Sequence, residues 1–313
     1  MKTRLEWIDI AKCLAIILVV LGHATGASIV GKYIYSFHMP LFFIISGMCF
    51  TNGKYKIKNL VKKRFKQLFL PAIWLTFISV IIIKLANHPY ELSSLGDALP
   101  GALWFLPVLF FVEVIYCLFS NCSLLIRGGY LICFMILGIV FSKTDLHLPY
   151  SLQSIPAAIV YYGIGNIMSF RRIYDVSSKL GLYKIPLILG LLILPIARII
   201  IYPHHLYMFE NNIEWVDFIV APLASFAILQ LAILMECLQK TIKLVLLWIG
   251  NNTMMIMAIH LPVLYIVSDY RSLFDSYIGY KLFEEFAMWS VSFIFVVIAN
   301  RFCPFVVGKG LRK

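Results

Sequence analysis

The sequence predicts an all-α protein that crosses a membrane about ten times as a bundle of transmembrane helices. Of its 313 residues, 61% are hydrophobic and only 13% are charged, whereas soluble domains carry about 25% charged residues. The apolar residues form continuous runs rather than the short alternating segments of barrel strands, so helices are the expected spanning elements. Because one helical span needs roughly 20 apolar residues, the chain has room for about ten spans and no large soluble domain.

Ten runs are apolar enough to be predicted as spans, and together they predict one integral-membrane domain over residues 1–313. No internal repeat is visible among them. They cover Trp7–Ala27, Tyr33–Phe50, Leu68–Leu85, Ala102–Phe119, Leu124–Phe141, Leu152–Phe170, Ile185–Tyr202, Trp215–Glu236, Leu244–Val267 and Leu282–Cys303.

The distribution of lysine and arginine predicts the orientation of these spans. If the N-terminus is cytoplasmic, 19 of the 27 Lys and Arg residues belong to the cytoplasmic side, four to the outer side and four to span interiors. This asymmetry follows the positive-inside rule and places both termini in the cytoplasm. It also accounts for the formal net charge of +12 without a nucleic-acid partner. The lipid bilayer is therefore the expected surroundings of the chain.

The seven cysteines predict neither a disulfide framework nor a metal site. All of them fall in predicted spans or at their cytoplasmic ends, and no CxxC or His/Cys ligand spacing is present. A basic start followed by an apolar stretch also gives the first span some likeness to a secretory signal. Asp9, Lys12 and His23 within that run favour a retained helix.

The first span carries ionisable residues at depth, where a charge is costly unless it is paired or faces a polar cavity. Lys12 and His23 are 11 residues apart, almost three helical turns, so they are expected on one face about 16 Å apart. Asp9 lies one turn before Lys12 and is expected to neutralise it. The helix would then hold a cation near its cytoplasmic end and an imidazole near its outer end.

A second histidine follows at the start of the next span, in a segment that ends with two small residues. Ser46 and Gly47 would let a neighbouring helix or a ligand come close. The whole segment reads Phe37-His38-Met39-Pro40-Leu41-Phe42-Phe43-Ile44-Ile45-Ser46-Gly47.

This segment and the Lys12-x10-His23 pair together resemble the membrane acyltransferase-3 family. Further matches follow in the family's order, up to about Val267: Lys62-Lys63-Arg64-Phe65-Lys66, Leu103-Trp104-Phe105-Leu106, and Ile249-Gly250-Asn251-Asn252-Thr253 followed by His260. The family often has two arginines three residues apart in the third motif. Here Arg64 matches the first, but Gln67 stands at the second, so this chain departs from the family's pattern at that position.

The resemblance implies a ten-helix domain that moves an acyl group, usually acetyl, from cytoplasmic acyl-CoA to a sugar hydroxyl on the outer side of the membrane. Acyl-CoA, most often acetyl-CoA, would be the co-substrate, and no metal is expected. The implied acceptor is a lipid-linked or surface glycan of the cell envelope. The implied location is the cytoplasmic membrane of a bacterium, crossed in several passes.

Motif position and depth together select the candidate site residues. His23 is the candidate general base or acyl carrier, and the other catalytic candidates are Glu113 and His38. Residues expected to bind the acyl donor are Lys12, Arg64, Lys63, Ser46 and Trp104. Residues expected to bind the acceptor are His260 and Arg198.

Several of these residues also have a plain structural interpretation. Lys63 and its basic neighbours are typical of positive-inside anchors. Glu113 is predicted about mid-membrane, where it would orient a histidine, counter a lysine or form a structural pair. Arg198 lies near a span end and is typical of a snorkelling side chain. A donor to the thioester oxygen is also needed, and Ser46, Trp104 and His38 are equally suitable.

Two other classes of protein stay open at this point, a secondary transporter and a non-catalytic membrane module for binding or sensing. A transporter would favour helices broken at mid-membrane and paired carboxylates, whereas this chain offers only Glu113 and scattered prolines such as Pro156 and Pro195. The acyl group (acetyl or succinyl), the acceptor sugar and the oligomeric state also stay open.

Overall fold

The computed structural model describes residues 5–86, 101–144, 148–203 and 213–303, and within these ranges every regular element is a helix. The all-α fold class is therefore confirmed. The α-helices are α1 Glu6–Thr25, α2 Ile29–Tyr35, α3 His38–Met48, α4 Ile57–Arg64, α5 Leu70–Leu85, α6 Phe105–Phe119, α7 Leu124–Ser142, α8 Ile155–Met168, α9 Phe170–Leu180, α10 Lys184–Ile201, α11 Asp217–Leu234, α12 Lys240–Asn251, α13 Thr253–Ser268 and α14 Tyr277–Phe302.

The described ranges contain eight helical stretches that are long and apolar enough to cross a membrane, or nine if one bent pair counts as a span. The predicted number of ten is not reached, for two reasons. The predicted span Leu152–Phe170 contains the 14-residue helix α8, which is short for a crossing. The predicted span Leu244–Val267 is broken into α12 and α13, which meet at 76°. Both chain termini, predicted as cytoplasmic, lie outside the described residues.

The break between α12 and α13 falls at Asn252. Its side-chain amide donates a hydrogen bond to the Trp248 carbonyl at 2.7 Å, and its side-chain oxygen accepts one from Asn300 of α14 at 2.9 Å. Two residues earlier, Gly250 packs against α1, where a Cβ atom would come within 1.9 Å of the Asp9 carbonyl oxygen. The Ile-Gly-Asn-Asn-Thr motif therefore bends the chain and brings it against the start of α1.

Helix α1 lies at the centre of the bundle. It packs against α2, α3, α11, α12, α13 and α14, and many of its apolar side chains, including Ile10, Ile16 and Val19, are fully buried. Its bounds agree with the predicted first span to within two residues. This central position brings both polar ends of α1 into contact with several other helices.

Helices α3 and α8 are in close backbone contact beside α1. A Cβ atom on Gly47 would come within 1.9 Å of the Tyr162 carbonyl oxygen, and one on Gly165 within 2.0 Å of the Ile44 carbonyl oxygen. Small residues allow such an approach between membrane helices. The expectation that Gly47 admits a close neighbour is confirmed, and the neighbour is a helix.

Candidate functional site

Three histidines from three helices meet near the C-terminal end of α1. His23 lies in the last turn of α1, His38 begins α3, and His260 lies inside α13. The ring centroids of His23 and His260 are 5.2 Å apart. Tyr35 contacts both His23 and His38, with its ring centroid 5.7 Å from that of His23 and 5.0 Å from that of His38. His23 is partly exposed, whereas His38 and His260 are buried. These four residues are named the imidazole cluster below.

Two of the three histidines have their tautomers set by the backbone. His38 Nδ1 lies 2.9 Å from the Ile34 carbonyl oxygen, and His260 Nδ1 lies 3.0 Å from the Ile256 carbonyl oxygen. A carbonyl oxygen only accepts hydrogen bonds, so both Nδ1 atoms must carry the proton. Each neutral ring then keeps a lone pair on Nε2. The Nε2 of His260 is buried and has no hydrogen-bond partner among the described residues.

The ring of His23 is held by a side chain rather than by the backbone. Its Nδ1 lies 2.9 Å from the Tyr35 hydroxyl oxygen. In the tautomer with the proton on Nδ1, the ring donates to that oxygen, and Nε2 is left as an acceptor. A general base needs this arrangement of one nitrogen fixed and the other free.

A second polar cluster surrounds the N-terminal half of α1 and the end of α3. Lys12 Nζ lies 3.2 Å from Asp9, which confirms the expected neutralisation. Arg64 forms an ion pair with Glu113. The charges of all four residues act on the Cys49 thiol, which directly follows α3, so both pairs lie close to that thiol. These five residues are named the charged cluster below.

In both ion pairs of the charged cluster, the cation is accessible and the carboxylate is buried. The side chains of Lys12 and Arg64 are 32% and 24% exposed, whereas those of Asp9 and Glu113 are each 4% exposed. Of the interpretations that the sequence left open for Glu113, the structure shows an ion pair, with an arginine as the partner rather than a histidine or a lysine. The buried carboxylates hold the two cations in place, and the accessible ends of the cations can still meet a ligand.

Gln67 stands where the family often has a second arginine. Its side-chain oxygen accepts a hydrogen bond from Arg64 Nη1 at 2.9 Å. The two residues flank the start of a π-helical turn, Phe65–Phe69, which joins α4 to α5. Turns of this kind are frequent at functional sites. In this chain the position therefore orients Arg64 and adds no second positive charge.

Three other residues that were expected to bind the donor are not members of the charged cluster: Lys63, Ser46 and Trp104. Lys63 donates to the Tyr55 hydroxyl at 2.8 Å and lies 4.6 Å from the centre of that ring; its hydrogen bond is the main cause of a lowered pKa of the Tyr55 hydroxyl. Ser46 is partly exposed, one turn before Cys49. Trp104 is partly exposed, with its ring centroid 6.2 Å from that of Phe105.

Arg198 forms a buried ion pair with Asp217 that joins α10 to α11. Its Nε and Nη2 atoms lie 2.8 and 3.4 Å from the two carboxylate oxygens, and its Nη1 donates to the Tyr202 carbonyl. Both side chains are almost completely buried. Arg198 thus has protein partners for its charge, and its contact with an acceptor stays a prediction.

Several residues that hold the candidate site residues or the helices around them were missed from the sequence. Tyr35 lies three residues before His38, but the chain breaks between α2 and α3, so no helical spacing connects them. Asp217 was visible as an acidic residue at the start of a predicted span. Arg198 lies near the end of the preceding predicted span, on the same side of the membrane. Asn166 was a polar residue in an apolar run; it donates to the Gly47 and Phe50 carbonyls at 3.3 and 3.0 Å.

An apolar cavity of about 780 Å³ lies between α12, α13 and α14 and is lined by side chains such as Trp248, Trp289 and Phe293. It offers no ionisable group for chemistry. Within the described ranges, no group of three or more His, Cys, Asp or Glu residues is arranged to hold a metal ion.

The fold and the two clusters define a helical membrane protein in which one central helix joins a charged end to an imidazole end. A family model described as an acyltransferase domain matches residues 5–307, which is nearly the whole chain. The chain therefore belongs to the acyltransferase-3 family and is a membrane-bound acyltransferase. Searches of curated proteins and of solved structures each found no match.

Proposed function

We propose that the protein transfers an acyl group, with acetyl as the first expectation, from cytoplasmic acyl-CoA to a hydroxyl of a cell-envelope carbohydrate on the outer side of a bacterial cytoplasmic membrane. The observation that carries this proposal is the contact of α1 with both clusters. Lys12 and the charged cluster lie near one end of this helix, and His23 and the imidazole cluster lie near the other. One helix thus connects a donor site to an acceptor site.

The charged cluster supports the donor half of the proposal. Acyl-CoA carries phosphate groups, which form charge-assisted hydrogen bonds with Arg and Lys. Lys12 and Arg64 are partly exposed and each is steadied by a buried carboxylate. The N–H groups of such a cation that are not used in the ion pair can donate hydrogen bonds to a phosphate. The side chain is already ordered, so less conformational entropy is lost on binding. The lysines of α4 would add positive charge around the entrance to the donor site.

The imidazole cluster supports the acceptor half. In the proposed reaction, His23 Nε2 takes the proton of the acceptor hydroxyl while that oxygen attacks the thioester carbonyl carbon. The carbon–sulfur bond breaks, and the proton passes from His23 to the departing thiolate of CoA. The products are the acyl ester and CoA with a free thiol. If His23 instead carries the acyl group, Nε2 itself attacks the thioester, the carbon–sulfur bond breaks and the CoA thiolate leaves. The acceptor oxygen then takes the acyl group from the ring, and the proton of the acceptor hydroxyl ends on the CoA thiolate.

The contact between Tyr35 and His23 gives the first prediction. Replacing Tyr35 with phenylalanine removes the partner of His23 Nδ1, so the ring loses its fixed orientation and kcat is expected to fall about tenfold, the effect of roughly one hydrogen bond. KM for acetyl-CoA is expected to stay unchanged, because Tyr35 lies outside the charged cluster. The measurement is steady-state kinetics of the purified protein in lipid nanodiscs.

Tyr33→Phe is the matched control for that variant. The Tyr33 hydroxyl also belongs to α2, but it donates to the Leu192 carbonyl at 2.8 Å and has no contact with His23. Its kcat is expected to equal that of the wild type. If Tyr33→Phe and Tyr35→Phe lose the same share of kcat, the orienting role of Tyr35 is wrong.

The proposed function is tested by placing donor and acceptor on opposite sides of a membrane. Proteoliposomes would enclose a carbohydrate acceptor and receive radiolabelled acetyl-CoA outside, and acid-resistant, base-labile acetyl ester inside would be measured. Vesicles containing protein in the matching orientation are expected to form the ester, and empty vesicles are not. Mass spectrometry of surface glycans from cells with and without the protein identifies the natural acceptor. If the cells without the protein keep all of their acyl esters, the proposal is contradicted.

A further inference from the structure

One buried hydroxyl near the charged cluster forms no hydrogen bond with the helices packed around it. Tyr162 of α8 is fully buried, and its hydroxyl has no hydrogen-bond partner in the part of the chain that the structure describes. Buried polar groups in native proteins are nearly always paired, so an exception needs an explanation. The adjacent Tyr161 follows the rule, since its hydroxyl donates to the Asp217 carbonyl at 3.2 Å.

The packing of Tyr162 fixes where this hydroxyl lies. Its backbone is in close contact with Gly47, near the C-terminal end of α3. Its ring centroid lies 5.9 Å from that of Phe50 and 5.1 Å from that of Tyr116. Phe50 directly follows Cys49 in sequence. The aromatic ring is therefore wedged between α3 and α6, beside the charged cluster.

The electrostatic surroundings of the hydroxyl point the same way. The groups that act on it are Glu113 and Arg64, followed by the Tyr116 hydroxyl and the Cys49 thiol. Three of these four belong to the charged cluster. The Tyr116 hydroxyl is already committed, because it donates to Asn166 at 2.9 Å. The Tyr162 hydroxyl thus lies near the charged cluster and forms no hydrogen bond with its members.

We propose that the Tyr162 hydroxyl donates a hydrogen bond to an amide carbonyl of the pantetheine arm of acyl-CoA. This assignment rests on the proposed function and adds the residue that holds the arm between the phosphate-binding cations and His23. The pantetheine arm is a thin chain with two neutral amides, so burying it desolvates no charge. A neutral phenol beside the rings of Phe50 and Tyr116 suits such a chain, and the amide would give the hydroxyl its missing partner.

The test compares Tyr162→Phe with Tyr161→Phe in the full-length protein in lipid nanodiscs. Binding of CoA and acetyl-CoA is measured by isothermal titration calorimetry, together with the melting temperature. Tyr162→Phe is expected to lower the affinity for both ligands about tenfold, or about 1.4 kcal/mol. The melting temperature is not expected to fall, since no hydrogen bond within the protein is lost. Tyr161→Phe is expected to lower the melting temperature and leave both affinities unchanged.

A nucleotide fragment separates an effect on the arm from a general disturbance of the site. Adenosine 3′,5′-bisphosphate carries phosphates of CoA but lacks the pantetheine arm, so its affinity is expected to be the same in wild type and Tyr162→Phe. If Tyr162→Phe lowers the affinities for the fragment and for CoA equally, or leaves the affinity for CoA unchanged, the assignment of Tyr162 is overturned. The proposed function is not affected by either result. Absence of CoA and acetyl-CoA binding by the wild type would overturn the proposed function, and the assignment with it.

Discussion

Replacement of His23 with alanine is expected to lower kcat for acyl transfer by about 10²- to 10⁴-fold, the usual contribution of a positioned general base. The substitution removes the one partly exposed imidazole of the cluster and the partner of the Tyr35 hydroxyl. The charged cluster is untouched, so the affinity for acetyl-CoA is expected to stay that of the wild type. The measurement is ester formation at saturating acetyl-CoA and acceptor.

Two controls accompany the His23 variant. The melting temperature and the yield of membrane-inserted protein establish that the variant folds, and CoA binding establishes that the donor site is intact. His23→Gln tests the chemistry more narrowly, because it keeps polar atoms at the position but supplies no base. A folded variant that binds CoA and retains full kcat would show that His23 neither takes the proton nor carries the acyl group.

A labelling experiment on the wild type and on His23→Ala distinguishes a general base from an acyl carrier. In the absence of acceptor, incubation with radiolabelled acetyl-CoA leaves label on His23 only if the ring itself attacks the thioester. Peptide mass spectrometry of the quenched protein locates the label. Label at His23 in the wild type, absent from His23→Ala, supports the carrier. A wild-type protein that is active but never labelled supports the general base.

Replacement of Arg198 with methionine is expected to cost about 3–5 kcal/mol of folding free energy, the usual effect of removing one partner of a buried ion pair. The Asp217 carboxylate would remain almost completely buried and keep only the Glu214 backbone N–H, 2.8 Å away, among the contacts described here. An uncompensated carboxylate in that position is expected to destabilise the joint between α10 and α11. Thermal unfolding in a fixed detergent measures the loss.

Lys143→Met is the matched control, because Lys143 pairs with Glu214, three residues before Asp217. That lysine is 46% exposed, and exposed pairs contribute only about 0–1 kcal/mol. The double variant Arg198→Met, Asp217→Asn is expected to recover part of the lost stability. An Arg198→Met variant that melts like the wild type but has a raised KM for the acceptor would contradict the structural role and support acceptor binding.

The sequence predicted the parts of the site that lie on one continuous helix. Asp9, Lys12 and His23 all belong to α1, and helical geometry alone related them: Asp9 pairs with Lys12 as expected. Motif resemblance selected His38, Arg64 and His260 from elsewhere in the chain. Hydropathy was enough for the all-α class because a continuous apolar run in a membrane has few structures open to it.

The sequence was less successful where an apolar run is interrupted without losing its hydropathy. The predicted span Leu244–Val267 reads as one helix, yet it bends by 76° at Asn252. An asparagine alone does not break a helix in this way. The bend is accompanied by the bond from Asn300 and by the approach of Gly250 to Asp9, and both contacts join residues far apart in the chain.

The sequence by itself determined that this protein is a helical membrane protein with ionisable residues at both ends of its first span. It did so because burial of backbone and charge in a bilayer restricts local structure to a few patterns that composition and spacing reveal. Only the tertiary structure decided the partners: Tyr35 for His23, Arg64 for Glu113, Asp217 for Arg198. These partners come from different helices, and their meeting depends on how whole helices pack, which no local pattern records.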